Sequence, residues 1–227
     1  MEINNSNFLK NLISYSFFNK IDKGLIFLGP FFLLFLTSNE SLYNELEYIF
    51  STAAILVIFF DLGVKNYLFY GYKINEDKAG YLRRTKSQFN SLIILYLTIM
   101  VLIFLLFKEL NFIIFFIFIR TILTLIINFY SFYFRLIDSP SKIFLFSIPI
   151  NILVYIFTFY LAYNNIKITL FSFYSIPLIS IIFFCIYCIR NNFLNYKLSN
   201  IISLSMPYAA PIMINLFFVS IINHFGK

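Results

Sequence analysis

Residues 112–135 read FIIFFIFIRTILTLIINFYSFYFR. From Phe112 to Tyr133 the run has the length of the ~20 apolar residues that a helix needs to cross a ~30 Å hydrocarbon core, and Arg120 is the one charge inside it. Arg120, Thr124, Asn128, Ser131 and Arg135 follow one another at intervals of four, four, three and four. That spacing sets all five along one side of a helix, with Ile119, Ile122, Ile126 and Phe129 covering other directions. Arg120 stands eight positions after Phe112, near the bilayer midplane, where an arginine costs at least ~2.5–3.5 kcal/mol by insertion scales. Two readings follow for it: lining a wet cavity between helices, or forming a structural ion pair, for instance with Asp61.

Six similar apolar stretches surround this one: Phe17 to Leu36, Leu46 to Lys65, Phe89 to Phe107, Ile143 to Tyr163, Thr169 to Ile189 and Ser203 to Phe225. Of the seventeen Lys and Arg residues, thirteen fall in alternate gaps between the seven stretches. Lys10, Lys20 and Lys23 lie at or before the first stretch; Lys65, Lys73, Lys78, Arg83, Arg84 and Lys86 follow the second; Arg135 and Lys142 follow the fourth; Arg190 and Lys197 follow the sixth. The remaining gaps hold only Lys108, Lys167 and Lys227. Short loops rich in Lys and Arg stay cytoplasmic, so the expected topology puts the N-terminus inside and the last residue outside. A soluble protein has no reason to alternate its charge in this way.

Composition points the same way. Hydrophobic residues make up 61% and charged residues 12% of the chain, against ~45–50% and ~25% in soluble domains. The +7 balance then reads as loop charge facing anionic lipid headgroups, and membrane lipids, not nucleic acid, are the expected partners. The polar first ten residues and the lack of a small-residue cleavage site after the first stretch speak against a removable signal peptide. Cys185 and Cys188 form a C-x-x-C inside the sixth stretch without acidic or histidine neighbours; they read as packing residues, since a metal or redox site needs polar support and access. His224, the single histidine, has no partner ligand nearby in sequence, so no metal is expected.

The longest gap, 66–88, contains Gly71, Gly80 and the basic run Lys78 to Lys86; a short amphipathic cytoplasmic helix plus turns is expected there. The two ends also echo each other. Leu9, Asn11, Ile13, Ser14 and Ser16 recur as Leu198, Asn200, Ile202, Ser203 and Ser205, with Ile201 answering Leu12. On this reading residues 1–197 form one six-helix bundle, and residues 198–227 begin a second, parallel copy. Parallel repeats about an axis along the membrane normal are a transporter architecture. The expected fold is therefore all-α integral membrane: a six-helix transporter half-bundle plus one helix of a second parallel repeat, read as a truncated product or fragment.

Other polar residues sit where they are expensive. Gly24 to Leu36 is too short to span, so Lys20, Asp22 and Lys23 must lie within the cytoplasmic turns of the first helix. Lys20 and Lys23 share a face at i,i+3. They read either as snorkelling to the headgroups with Asp22 as local counter-charge, or as a cationic patch at a cavity mouth. Asp61 reads as part of an interfacial turn or as a coupling or ion-pair group. Ser147, Asn151, Tyr155 and Thr158 form a weaker polar line beside Pro149. Pro177, Pro207 and Pro211, the last two followed by Asn215, mark further bends of the kind transporters use.

Four short elements carry a family resemblance: Phe8-Leu9-Lys10-Asn11-Leu12-Ile13-Ser14-Tyr15 entering the first stretch, Asp61-Leu62-Gly63-Val64 closing the second, Tyr133-Phe134-Arg135 closing the fourth, and Leu204-Ser205-Met206-Pro207 opening the seventh. With them the chain resembles the Wzx-type polysaccharide flippases of the multidrug/oligosaccharidyl-lipid/polysaccharide exporter superfamily. The resemblance implies paired six-helix bundles around a central cavity in the bacterial inner membrane. It implies export of an undecaprenyl-pyrophosphate-linked oligosaccharide for surface polysaccharide such as O-antigen, Na⁺ or H⁺ coupling without another cofactor, and polysaccharide polymerase and chain-length proteins as partners. Arg120, Thr124, Asn128, Arg135, Lys20 and Lys23 would contact the anionic substrate, because Arg offers planar bidentate donors to a pyrophosphate; Asp22 and Asp61 would serve as ion-pair or coupling groups. The chain departs from the family in lacking the Gly-rich segment that many relatives carry between helices 1 and 2, and in having no helix after the seventh.

Two rivals stand beside this reading. A membrane enzyme of polysaccharide synthesis needs acidic or histidine clusters on its loops, and only Glu40, Glu45 and Glu47 could supply one; they read better as a solvated helix start, so no enzymatic activity is expected. An accessory subunit without a transport path would instead pack Arg120 and Asn128 tightly against another helix.

Overall fold

The computed structural model describes residues 5–61, 63–106, 112–137 and 139–191. Its elements are α1 (Asn5–Thr37), α2 (Glu40–Phe60), α3 (Val64–Ile74), α4 (Lys78–Leu106), α5 (Phe112–Leu136), a 3-10 turn (Pro140–Ile143), α6 (Phe144–Tyr163) and α7 (Leu170–Arg190). Among the described residues there is no strand. Five helices are long and apolar enough to cross a membrane: α2, α4, α5, α6 with its 3-10 turn, and α7. The architecture is that of an all-helical, multi-pass membrane protein.

The expected seven spans are thus supported at five. The stretch from Ser203, and the proposed restart at residue 198, lie outside the described residues. The first stretch does form a helix, and a long one, but Lys20, Asp22 and Lys23 all stand within α1 and make it too charged to count with the five.

Local sequence explains where the helices start and stop. Asn39 Oδ1 accepts from the Leu42 amide at 3.2 Å, and Asp77 Oδ1 accepts from the Gly80 amide at 2.9 Å. In both, a short polar side chain caps an otherwise orphaned N–H in the first turn. Thr169 and Ser172 cap α7 reciprocally, the Thr169 amide donating to Ser172 Oγ at 2.9 Å and the Ser172 amide to Thr169 Oγ1 at 3.4 Å. At the end of α6, Asn165 adopts φ 55°; its amide donates to the Ala162 carbonyl and the Ile166 amide to the Leu161 carbonyl. That pair of bonds is the Schellman closure, with asparagine where glycine is commonest. Between α2 and α3 the chain turns at Asp61 to Gly63, with Gly63 at φ 67° and the Val64 amide donating to the Asp61 carbonyl. Asp61 therefore stands in a turn after α2.

The basic gap is more ordered than its composition suggests. The expected amphipathic helix is α3, and the run from Lys78 to Lys86 is not a loop but the opening turns of α4. Asp77 starts that helix ahead of the apolar stretch, so α4 is 29 residues long.

The molecule divides into two compact units. The first comprises 1–48 and 130–180, the second 49–129 and 181–227. In the first, α1 packs along α6, where Ser147, Ile150, Val154, Thr158 and Leu161 are buried. In the second, Phe89 and Phe129 stack with ring centres 3.8 Å apart, and Ile49, Leu68, Ile93, Ile119 and Leu92 are wholly or almost wholly buried. Large apolar side chains such as Leu105, Leu106, Ile156 and Phe183 are exposed, which suits helices whose outer faces meet lipid.

Candidate functional site

In the second unit, α5 carries Arg120 between the buried Ile119 and Thr121. The buried side of α5 is the apolar one, Ile119, Ile122, Ile126 and Phe129, while Arg120, Thr124, Asn128 and Ser131 are half-buried. The Arg120 guanidinium lies over the Phe50 ring, 4.3 Å from its centre. This is a cation–π arrangement, worth most where water is excluded. Neither reading offered for Arg120 included an aromatic face as its neighbour. Phe50 lies in α2, seventy positions earlier in the chain, and nothing in the spacing of either segment announces the contact.

The rest of the α5 line behaves unevenly. Thr124 Oγ1 donates to the Arg120 carbonyl at 2.8 Å, so its hydroxyl is absorbed by its own helix. Asn128 is half-buried and belongs with Arg120 and Thr124 to the second unit. Arg135 belongs to the first unit, where it is exposed. There its Nη2 donates to the Tyr15 hydroxyl, and its guanidinium lies 4.5 Å from the Tyr15 ring centre and 5.2 Å from that of Phe132. Arg135 is thus a clamp between α5 and α1.

Around α1, Lys20 and Lys23 are exposed, whereas Asp22 is only 5% exposed. Asp22 Oδ1 accepts from Asn151 Nδ2 of α6 at 3.1 Å. The Asp22 carboxyl thus also meets an amide on the α6 side, a contact that neither reading of Lys20, Asp22 and Lys23 included. One turn on, the Tyr155 hydroxyl donates to the Leu25 carbonyl, close to Pro30, whose missing N–H loosens the α1 ladder. The Tyr155 ring sits edge-on to Phe32 at 4.7 Å, and Thr158 Oγ1 donates to the Val154 carbonyl at 2.9 Å. Ser147 Oγ, fully buried on the same side of α6, has no hydrogen-bond partner among the described residues.

The polar line of α6 thus also joins two helices, although in the sequence it is the fainter of the two. Its signal is present, spaced four, four and three from Ser147 through Thr158, but an asparagine and a tyrosine in a span carry less surprise than a deep arginine. The candidate residues fall into two groups: Arg120, Thr124, Asn128 and Asp61 in the second unit, and Lys20, Asp22, Lys23 and Arg135 in the first. No family model matches the chain, and no curated protein or solved structure matches it either.

Proposed function

We propose that this chain is the membrane-spanning part of a flippase that moves an undecaprenyl-pyrophosphate-linked oligosaccharide across the bacterial inner membrane for surface polysaccharide synthesis. In this reading it is not an enzyme. The N-terminus faces the cytoplasm, as the alternation of basic residues between spans requires. Arg120 meets the pyrophosphate from α5, with Asn128 beside it; Lys20 and Lys23 attract the headgroup at the cytoplasmic end of α1; Arg135 holds α1 and α5 together there. Asp22, buried beside Asn151, is the coupling group for Na⁺ or H⁺. The single observation that supports the proposal is the half-buried Arg120, deep in the apolar α5 span: a guanidinium there carries a desolvation cost that an anionic substrate would offset.

The purified chain in vesicles with a fluorescent polyprenyl-pyrophosphate sugar provides the test. Translocation above that of protein-free vesicles is expected, and Arg120→Ala should reduce it at least about tenfold, roughly the ~1.4 kcal/mol or more that a charge-assisted hydrogen bond supplies, while the variant still inserts. Translocation equal to that of empty vesicles, with no preference for the pyrophosphate over the neutral prenol, overturns the reading. The same result combined with a large loss of stability in Arg120→Ala supports the second reading, an accessory subunit of polysaccharide assembly with no transport path. The contact with Phe50 and the back-bond of Thr124 favour that alternative, since both satisfy polar groups within the packing.

A further inference from the structure

The hairpin of α3 and the opening turns of α4 has no role in the transport reading, yet it is braced at several points. The Tyr81 hydroxyl of α4 donates to the Tyr67 carbonyl of α3 at 2.7 Å, and the two rings lie 5.7 Å apart. Gly71 admits the Tyr81 phenol so closely that a Cβ there would overlap it. Asn75 Nδ2 closes the end of α3 on the Gly71 carbonyl at 2.8 Å. Val64 and Leu68, four apart, are fully buried, so α3 is docked by one face. Its other face presents Phe69, Tyr70 and Ile74, which are 43%, 55% and 79% exposed, together with the exposed Lys73.

Charge on this hairpin is one-sided. Lys73 Nζ lies 4.6 Å from the Phe69 ring centre and Lys78 Nζ 5.3 Å from that of Tyr72; Arg83 and Arg84 are exposed on the next turn of α4. The two acids at the bend, Glu76 and Asp77, are both exposed and are outnumbered by the four cations Lys73, Lys78, Arg83 and Arg84. A short helix with aromatic and aliphatic side chains outward and cations laid along them matches the membrane interface, where rings enter the acyl boundary and ammonium or guanidinium groups meet phosphates. Such a face suits a protein partner less well, since interface cores are depleted in lysine.

We propose that the α3–α4 hairpin is a binding surface for anionic phospholipid headgroups, in which Phe69, Tyr70 and Ile74 enter the lipid and Lys73, Lys78, Arg83 and Arg84 hold the phosphates. Headgroup contact then fixes the start of α4 at the bilayer surface. The inference stands apart from any transported substrate and survives if the flippase reading fails.

The full chain, released from mixed micelles of equimolar phosphatidylglycerol and phosphatidylcholine and weighed by native mass spectrometry, tests it. Phosphatidylglycerol should be retained preferentially, and the preference should fall by about fivefold for each of Lys73→Gln, Lys78→Gln, Arg83→Gln and Arg84→Gln, the effect of one surface cation. Lys167→Gln, which removes an equal charge from the exposed loop before α7, should leave the preference unchanged. In the unaltered chain the preference should shrink as salt is raised through the range where the screening length drops below ~10 Å, and millimolar inorganic phosphate should not displace the lipid. Equal retention of the two lipids overturns the proposal, as does an equal effect of Lys167→Gln. Displacement by free phosphate would point to a soluble anion and also overturns it.

Discussion

At the scale of single residues, the informative contacts are polar ones between helices in an otherwise apolar chain. Asn151 is the donor observed on the buried Asp22 carboxyl, so Asn151→Ala removes it without supplying water in exchange. The expected loss is about 1 kcal/mol, the net worth of one intramolecular hydrogen bond, read as an earlier melting or detergent-unfolding transition; an unchanged transition would refute the packing role of this pair. Tyr155→Phe keeps the ring against Phe32 and deletes only the bond to Leu25, so a similar loss of about 1 kcal/mol is expected. Gly71→Ala forces the Tyr81 phenol from its place and breaks its bond to the Tyr67 carbonyl. About 1–3 kcal/mol of overpacking strain should follow, and Gly71→Ala combined with Tyr81→Ala should recover part of it. Neither the Asp22–Asn151 bond nor the Arg120–Phe50 contact was legible in the sequence. Each joins residues far apart in the chain, and helices in lipid choose neighbours by close packing and polar pairing, not by a hydrophobic pattern that differs from that of their surroundings.

At the scale of elements, much more was legible. Span length follows from apolar runs, and Thr169 caps α7 where such a run begins. The Asp61-Leu62-Gly63 element is a turn for a reason visible in its letters, because Gly63 alone among its residues takes φ 67° without a Cβ clash. Gly63→Ala should cost about 1–2 kcal/mol on that account, measured as a shift in the unfolding transition of the whole chain. What the letters concealed was the extent of the helices. Expected boundaries followed hydropathy, whereas α1, α2 and α4 begin ahead of their apolar runs, at Asn5, Glu40 and Lys78. Charged residues such as Glu40 near an N-terminus and long-chain Lys and Arg on an exposed face continue a helix readily, so polarity ended the membrane segment without ending the element.

At the scale of the whole molecule, five spans carry the membrane assignment, and alternation of charge carries its orientation. Single cysteines placed at the bends should label from opposite sides in intact cells. Substitutions at Ser38 and Asn164 should react with an impermeant maleimide applied outside, while those at Glu76 and Ser139 should react only after permeabilisation. Uniform labelling of all four would overturn the topology. The α4 helix adds a mechanical consequence. Its 29 residues amount to ~44 Å at 1.5 Å per residue, about 14 Å more than a ~30 Å hydrocarbon layer. The apolar part alone, residues 89–106, covers ~27 Å, close to the hydrocarbon thickness, so the excess is the polar opening turns, and any tilt the apolar part takes is carried rigidly to the braced hairpin at its foot.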